Sequence, residues 1–163
     1  MSYQIFDLDN CISDDSWRIP HIQHEADNDF IKFHDYHSLS AFDVLKNEEA
    51  VRTKSDIIIL TARPVIYHAI TMHWLELHNI TITHLLMRSV HDHRSSVVVK
   101  KELLNVLFNM ANVPIREIEA AHDDDPKVVR LYHDLGLNAV HMKIHDVPYK
   151  LEEDSNGSKT NPA

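Results

Sequence analysis

Tyr3-Gln4-Ile5-Phe6-Asp7-Leu8-Asp9 opens the chain with a short apolar run that stops on two carboxylates separated by one apolar residue. A buried strand ending in this way sets both acids at a sheet edge, where packing alone gives no reason for them. The tripeptide also occurs in solvated loops, so its meaning depends on what the later strand ends carry.

Four further apolar runs read as strands: 56–60 (Asp-Ile-Ile-Ile-Leu), 84–88 (His-Leu-Leu-Met-Arg), 118–122 (Ile-Glu-Ala-Ala-His) and 138–142 (Asn-Ala-Val-His-Met). Helical patterns lie between the later ones. Ile66, Ile70, Trp74 and Leu77 follow Pro64, and Val99, Leu103, Val106, Leu107 and Met110 follow Ser96, both at the 3.6-residue period. The last helix is well punctuated: Asp125 is a cap, Pro126 suits the first helical position, Val128, Val129, Tyr132 and Leu135 form the apolar face, and Gly136 suits the C-terminal turn. Strands alternating with helices predict an α/β domain around a five-stranded parallel sheet covered on both faces. Ligands of such sheets bind beyond the carboxyl ends of the strands.

A length of 163 residues predicts one domain over 1–150, and the polar stretch 151–163 reads as a disordered tail. The segment 11–54 is an insertion after the first strand, rich in acids, histidines and aromatics (Asp14, Asp15, Trp17, Arg18, His21, Phe30, Phe33, His34, Tyr36, His37). Its best helix candidate is Leu39 to Glu49. A connection of that length beside the acids suits a small lid or substrate platform, and a bland peripheral insertion equally.

Composition narrows the partners. Hydrophobic residues make up 44% of the chain, yet no apolar run approaches the roughly 18 residues of a membrane span. No basic stretch leads into an apolar one at the N-terminus, and the lone Cys11 cannot form an internal disulfide, so a cytoplasmic protein is expected. The formal charge of -9 disfavours a long nucleic-acid groove but leaves room for a local anion site. Of the 14 histidines, pairs such as His91/His93 and His21/His24 lack zinc-type partners. The oligomeric state is open.

A parallel sheet brings its strand ends together whatever their separation in sequence. The first run ends in Asp7 and Asp9, the second leads into Thr61-Ala62-Arg63-Pro64, the third ends at Arg88 ahead of Asp92 and Arg94, and the fourth ends in His122-Asp123-Asp124-Asp125. Lys100 lies on the helix between the third and fourth. Carboxylates packed this closely repel one another, and a hard divalent cation is the natural neutraliser. Oxygen ligation shared with water and a phosphate suits Mg2+, while lysine and arginine complement phosphate oxygens. Taken singly, Thr61 also reads as a helix cap, Lys100 as a solvated charge, and Arg88 and Arg94 as surface residues. Their joint order at successive strand ends is what those readings leave unexplained.

That order, Asp-x-Asp, Thr, Lys, Asp-Asp, resembles the haloacid dehalogenase-like (HAD) phosphohydrolases over residues 4 to 145. More narrowly, Met87-Arg88, Asp92-His93-Arg94, Val98-Val99-Lys100-Lys101-Glu102, Asp123-Asp124 and Val128-Val129 resemble the 3'-phosphatase domain of phage polynucleotide kinase-phosphatases. No Gly-x-x-x-x-Gly-Lys-Ser/Thr loop is present, so no kinase part is expected. The resemblance implies a Rossmann-like three-layer sandwich with strand order 5-4-1-2-3 and, if the source is a phage, residence in the host cytoplasm. It implies Asp7 as nucleophile, Asp9 as general acid and base, Thr61 on a phosphoryl oxygen and Lys100 neutralising the nucleophile and phosphate. Asp7, the Asp9 carbonyl, Asp123 and Asp124 would hold Mg2+, and Arg63, Arg88, Arg94 and Arg18 would grip substrate. The implied substrate is a phosphorylated nucleotide or nucleic-acid end, with a 3'-phosphate favoured and a free nucleoside monophosphate the alternative. The family usually has Gly-Thr after the second acid; here Asn10-Cys11 stands instead, Asn tolerating the left-handed backbone and Cys filling space. A signalling receiver also gathers acids, Thr and Lys around magnesium, but places its adjacent acids first rather than last. A catalytically silent module of the same fold is the remaining alternative.

Overall fold

Ile5 and Phe6, adjacent in β1 (Tyr3–Phe6) and both fully buried, must be covered on opposite faces because successive strand side chains alternate. The computed structural model, which describes residues 1–23 and 36–146, achieves this by placing β1 at the centre of a parallel sheet. β2 (Ser13–Asp14) and β3 (Val44–Leu45) form a separate antiparallel pair in the insertion. The main sheet adds β4 (Asp56–Pro64), β5 (Ile82–Arg88), β6 (Ile118–Asp123) and β7 (Ala139–His141), in the order β5-β4-β1-β6-β7. This is the order 5-4-1-2-3 when the five core strands are numbered alone.

Ile5, Ile58 and Leu60 pack on one face against Leu104 and Leu107 of α2 (Ser96–Asn109) and Val128 and Tyr132 of α3 (Pro126–Asp134). Phe6, Ile57 and Ile59 pack on the other against Trp74 and Leu75 of α1 (His68–Leu77). Each such aliphatic side chain contributes about 1.5–3 kcal/mol by leaving water. The result is the expected three-layer α/β sandwich.

Register does the functional work. Phe6 lies level with Ile59 of β4 and His122 of β6, and the Asp7 amide donates to the His122 carbonyl at 3.0 Å. The next residues, Asp7 and Asp123, therefore emerge side by side from the same sheet edge.

Two expectations need correction. Leu39 to Glu49 is not one helix: it divides into a 3-10 turn (Ser40–Phe42), β3 and a short helix (Glu48–Val51). Asp43 takes extended backbone (φ -64, ψ 141) and Asn47 a left-handed one (φ 50, ψ 37), each interrupting the helical path. The Asn47 side chain donates to the Cys11 carbonyl at 2.7 Å, and Trp74 Nε1 donates to the Asp43 carbonyl at 2.8 Å, so tertiary bonds override local propensity. The helix faces are also rotated from the expected stripes. Ile66, Leu77 and Met110 are exposed, and Thr71, Leu75 and Leu104 lie inside instead. Phe30, Phe33, His34, His24 and the 151–163 tail lie outside the described residues.

Asp125 caps α3, accepting from the Lys127 amide at 2.9 Å, with Pro126 at the first position. Asp125→Ala should cost about 1 kcal/mol, and Ile58→Ala, which opens a cavity between sheet and helices, about 2–5 kcal/mol. Urea denaturation of both variants measures the difference.

Candidate active site

Asp7, Asp123 and Asp124 are buried, and each offers a carboxylate oxygen lying within 4.8 Å of those of the other two. Lys100 reaches them from α2: its Nζ donates to Asp123 Oδ2 at 2.6 Å and lies 3.0 Å from Asp7 Oδ1. The Asp125 amide and the Tyr132 hydroxyl also donate to Asp123, at 3.0 and 3.2 Å. Among the described residues, Lys100 is the ammonium paired with Asp7 and Asp123, against three clustered carboxylates. Burial lifts the Asp7 carboxyl well above the ordinary range; Lys100 opposes this, and Asp123 and Asp124 add to it. Asp123 is raised in the same way, by burial first. Burial alone would depress Lys100, but Asp123 and Asp7 hold it well above its usual value, so it stays protonated. An all-oxygen, charge-deficient donor set of this kind fits a hard cation.

Asp9 lies two residues on and meets the opposite environment. Arg63 grips it with two bonds, Nε to Oδ2 at 2.9 Å and NH2 to Oδ1 at 2.7 Å, and Arg18 NH2 adds a third at 2.6 Å. Burial pushes its pKa up, yet Arg63 and Arg18 outweigh this and hold it well below the carboxylate range. The arginines are themselves fixed from behind. Asp43, fully buried in its side chain, accepts from Arg18 Nε at 2.7 Å and NH2 at 2.5 Å, and from Trp17 Nε1 at 3.0 Å. Arg18 also lies over the Tyr36 ring, 4.1 Å from its centre. His37 packs 3.8 Å from Asp9 and is held neutral, its pKa pushed down to about 3 by burial, with Arg63 and Arg18 adding to the effect against Asp9.

Asp7, Asp9, Thr61, Arg63, Arg88 and Lys100 line one cavity of about 250 Å³. The Thr61 hydroxyl accepts from the Arg63 amide at 3.2 Å. Arg88 is held by backbone carbonyls alone among the described residues, those of Ala62 (2.8 Å), Asp92 (3.0 Å) and Arg94 (2.6 Å). Arg94 does not join them. Half exposed, it is paired with Asp92 and Glu102 on the surface. Arg18 does not line the cavity itself but touches two residues that do, Asp9 and Tyr36. The carboxylate of Asp9 is likewise separate from the Asp7, Asp123, Asp124 trio. Cys11 is buried in the apolar cluster, with burial lifting its thiol well above the usual range, so it is a packing residue.

The family model for the polynucleotide kinase PNKP phosphatase domain matches residues 2–146. The chain belongs to this family. No curated protein matches it in sequence. Among solved structures, one chain of the Pnkp1/Rnl/Hen1 RNA repair complex is 24% identical at a TM-score of 0.64, covering 90% of this chain and 43% of that one. The chain thus spans less than half the length of the RNA-repair chains it matches. A candidate phosphatase from Clostridium difficile is 13% identical at a TM-score of 0.61 (83% and 82% covered), and a hydrolase from Streptococcus pneumoniae TIGR4 is 13% identical at 0.54 (86% and 92%). At these identities the structures speak for the fold.

For a PNKP-type HAD phosphatase, the residues missed by sequence reasoning are Asp43 and His37. Both lie in the irregular insertion, and neither has a periodic or motif signal; Asp43 has only its place before a β-prone Val-Leu pair.

Removing Asp43 strands a buried guanidinium. Asp43→Ala should cost about 3–5 kcal/mol in denaturant titration. Asp9 makes a pH prediction with a definite sign. Its folded pKa is depressed, so its contribution is complete above the unfolded value of about 3.9 and is lost as pH falls through the folded one. In chelator, the stability gap between the native protein and Asp9→Asn should be flat above about pH 5 and shrink with acidification.

Proposed function

We propose that this phosphatase is a Mg2+-dependent phosphomonoesterase acting on a nucleotide or nucleic-acid end, with a 3'-phosphate favoured, through an aspartyl-phosphate on Asp7. The carrying observation is the meeting of Asp7, Asp123, Asp124 and Lys100 at one sheet edge, in a cavity that Asp9 and Thr61 also line. Residues 1–150 act as one domain in this reading, and Asp15, Tyr36 and His37 of the 11–54 insertion line the cavity.

Asp7, Asp123 and Asp124 would hold the cation, together with the Asp9 carbonyl, and the cation supplies charge neutralisation for the cluster and the phosphate. An Asp7 oxygen attacks phosphorus, the bond to the leaving oxygen breaks, and a proton from Asp9 completes the leaving hydroxyl. Asp9 then takes a proton from water as the water oxygen attacks the same phosphorus, releasing phosphate and restoring Asp7. Lys100 and the Thr61 hydroxyl stabilise the transferred oxygens, as phosphoryl transfer requires. Arg63 and Arg18 keep Asp9 ionised, as its base half-reaction needs. A dianionic phosphate entering beside it raises its proton affinity and competes for the same guanidinium groups, which favours the acid half. Arg88, whose bonds run to carbonyls rather than carboxylates, is the arginine best free to meet a substrate anion. The acidic chain limits the nucleic acid to its end rather than a long tract.

Phosphate release with magnesium and with chelator tests this reading. Asp7→Asn should lower it on the order of a thousandfold, and Arg88→Ala should raise KM about tenfold with a smaller change in kcat. A 3'-phosphorylated oligonucleotide should outperform nucleoside monophosphates; equal or better turnover of the monophosphates would assign a nucleotidase instead.

A further inference from the structure

Asn10 replaces the glycine usual after the second acid, and its backbone explains only half of that choice. At φ 61 it adopts the left-handed conformation, which glycine would supply equally. Its carboxamide, buried with the residue only 2% exposed, uses its full hydrogen-bonding capacity. Oδ1 accepts from the Ile144 amide at 3.1 Å and the His145 amide at 2.8 Å. Nδ2 donates to the His145 carbonyl at 3.0 Å and to Asp124 Oδ2 at 3.0 Å. Two amide donors on Oδ1 fix the orientation, since a flipped carboxamide would set N–H against N–H. The Ile144 amide also donates to the Asn10 carbonyl at 2.9 Å.

We propose that Asn10 is a positioning residue that sets the rotation of the Asp124 carboxylate for magnesium and couples it to the segment 143–146. The inference rests on the reading of Asp7, Asp123 and Asp124 as a cation site. With Oδ2 engaged by Nδ2, Asp124 cannot turn freely about its terminal bond, so part of the ordering cost of cation binding is met in advance. The far end of the coupling is anchored too: His145 Nε2 lies 2.6 Å from Asp15 Oδ1, and Asp15 lines the same cavity. A strap leaving β7 is thereby tied through one side chain to a member of the acidic trio.

The test compares the full native chain with Asn10→Gly, Asp124→Asn and the double variant, measuring magnesium affinity from the rise of melting temperature with magnesium concentration. Asn10→Gly keeps the turn and loses the carboxamide, so affinity should fall about tenfold. In the Asp124→Asn background the same substitution should change it by less than about twofold, since Asn10 acts through Asp124. Hydrogen exchange at the His145 amide should accelerate in Asn10→Gly and remain slow in Asp124→Asn. Affinity of Asn10→Gly within about twofold of native, or an equal loss in both backgrounds, overturns the proposal while leaving the cation site standing. Native affinity in Asp124→Asn overturns the cation reading itself, and this inference with it.

Discussion

Three carboxylates are buried together at the end of the central strands, two of them on one lysine, and the rest of the described structure is organised around that cluster. Withdrawing an ion from water costs several kcal/mol even after relaxation. The sheet bears this cost by making the arrangement unavoidable: parallel register sets Asp7 beside Asp123, and apolar layers on both faces keep the strands from parting. A cluster of this kind is electrostatically unsettled on its own.

Behind it stands a second layer with the reverse bias, where charges alternate from Asp9 to Arg63 and Arg18 and on to Asp43. Asp7 and Asp9 are thus separated by environment rather than by residue type. One carboxyl is pushed toward neutrality and the other toward ionisation across a single intervening leucine, Leu8, whose side chain points into the core. Both acids follow the end of β1, where the chain leaves the sheet edge and carries them past different neighbours.

The sheet and the acid pairs were legible because each is a local signal: an apolar run, then charge. Lys100 and Thr61 were legible from their order along those strand ends. Helix faces were less so, since a 3.6-residue period identifies a helix without saying which of two overlapping stripes, that of Ile66 and Leu77 or that of Thr71 and Leu75, meets the sheet. The surroundings of Arg94 were not legible: its pairing with Asp92 and with Glu102, eight residues on, depends on how the loop after β5 folds back on α2. Asp43 was invisible because its meaning lies in pairing with Arg18, 25 residues away, through backbone that follows no repeat.

The mortise formed by Arg18 and Asp43 has an implication for how this fold diversifies. Its insertion shares a buried framework with Asp9, so it cannot be traded as a cassette the way a hinged lid can. A chimera receiving a relative's insertion would have to inherit Asp43, Arg18 and Arg63 as a set, and specificity in this lineage is therefore expected to drift at the insertion's outer rim while its root stays fixed.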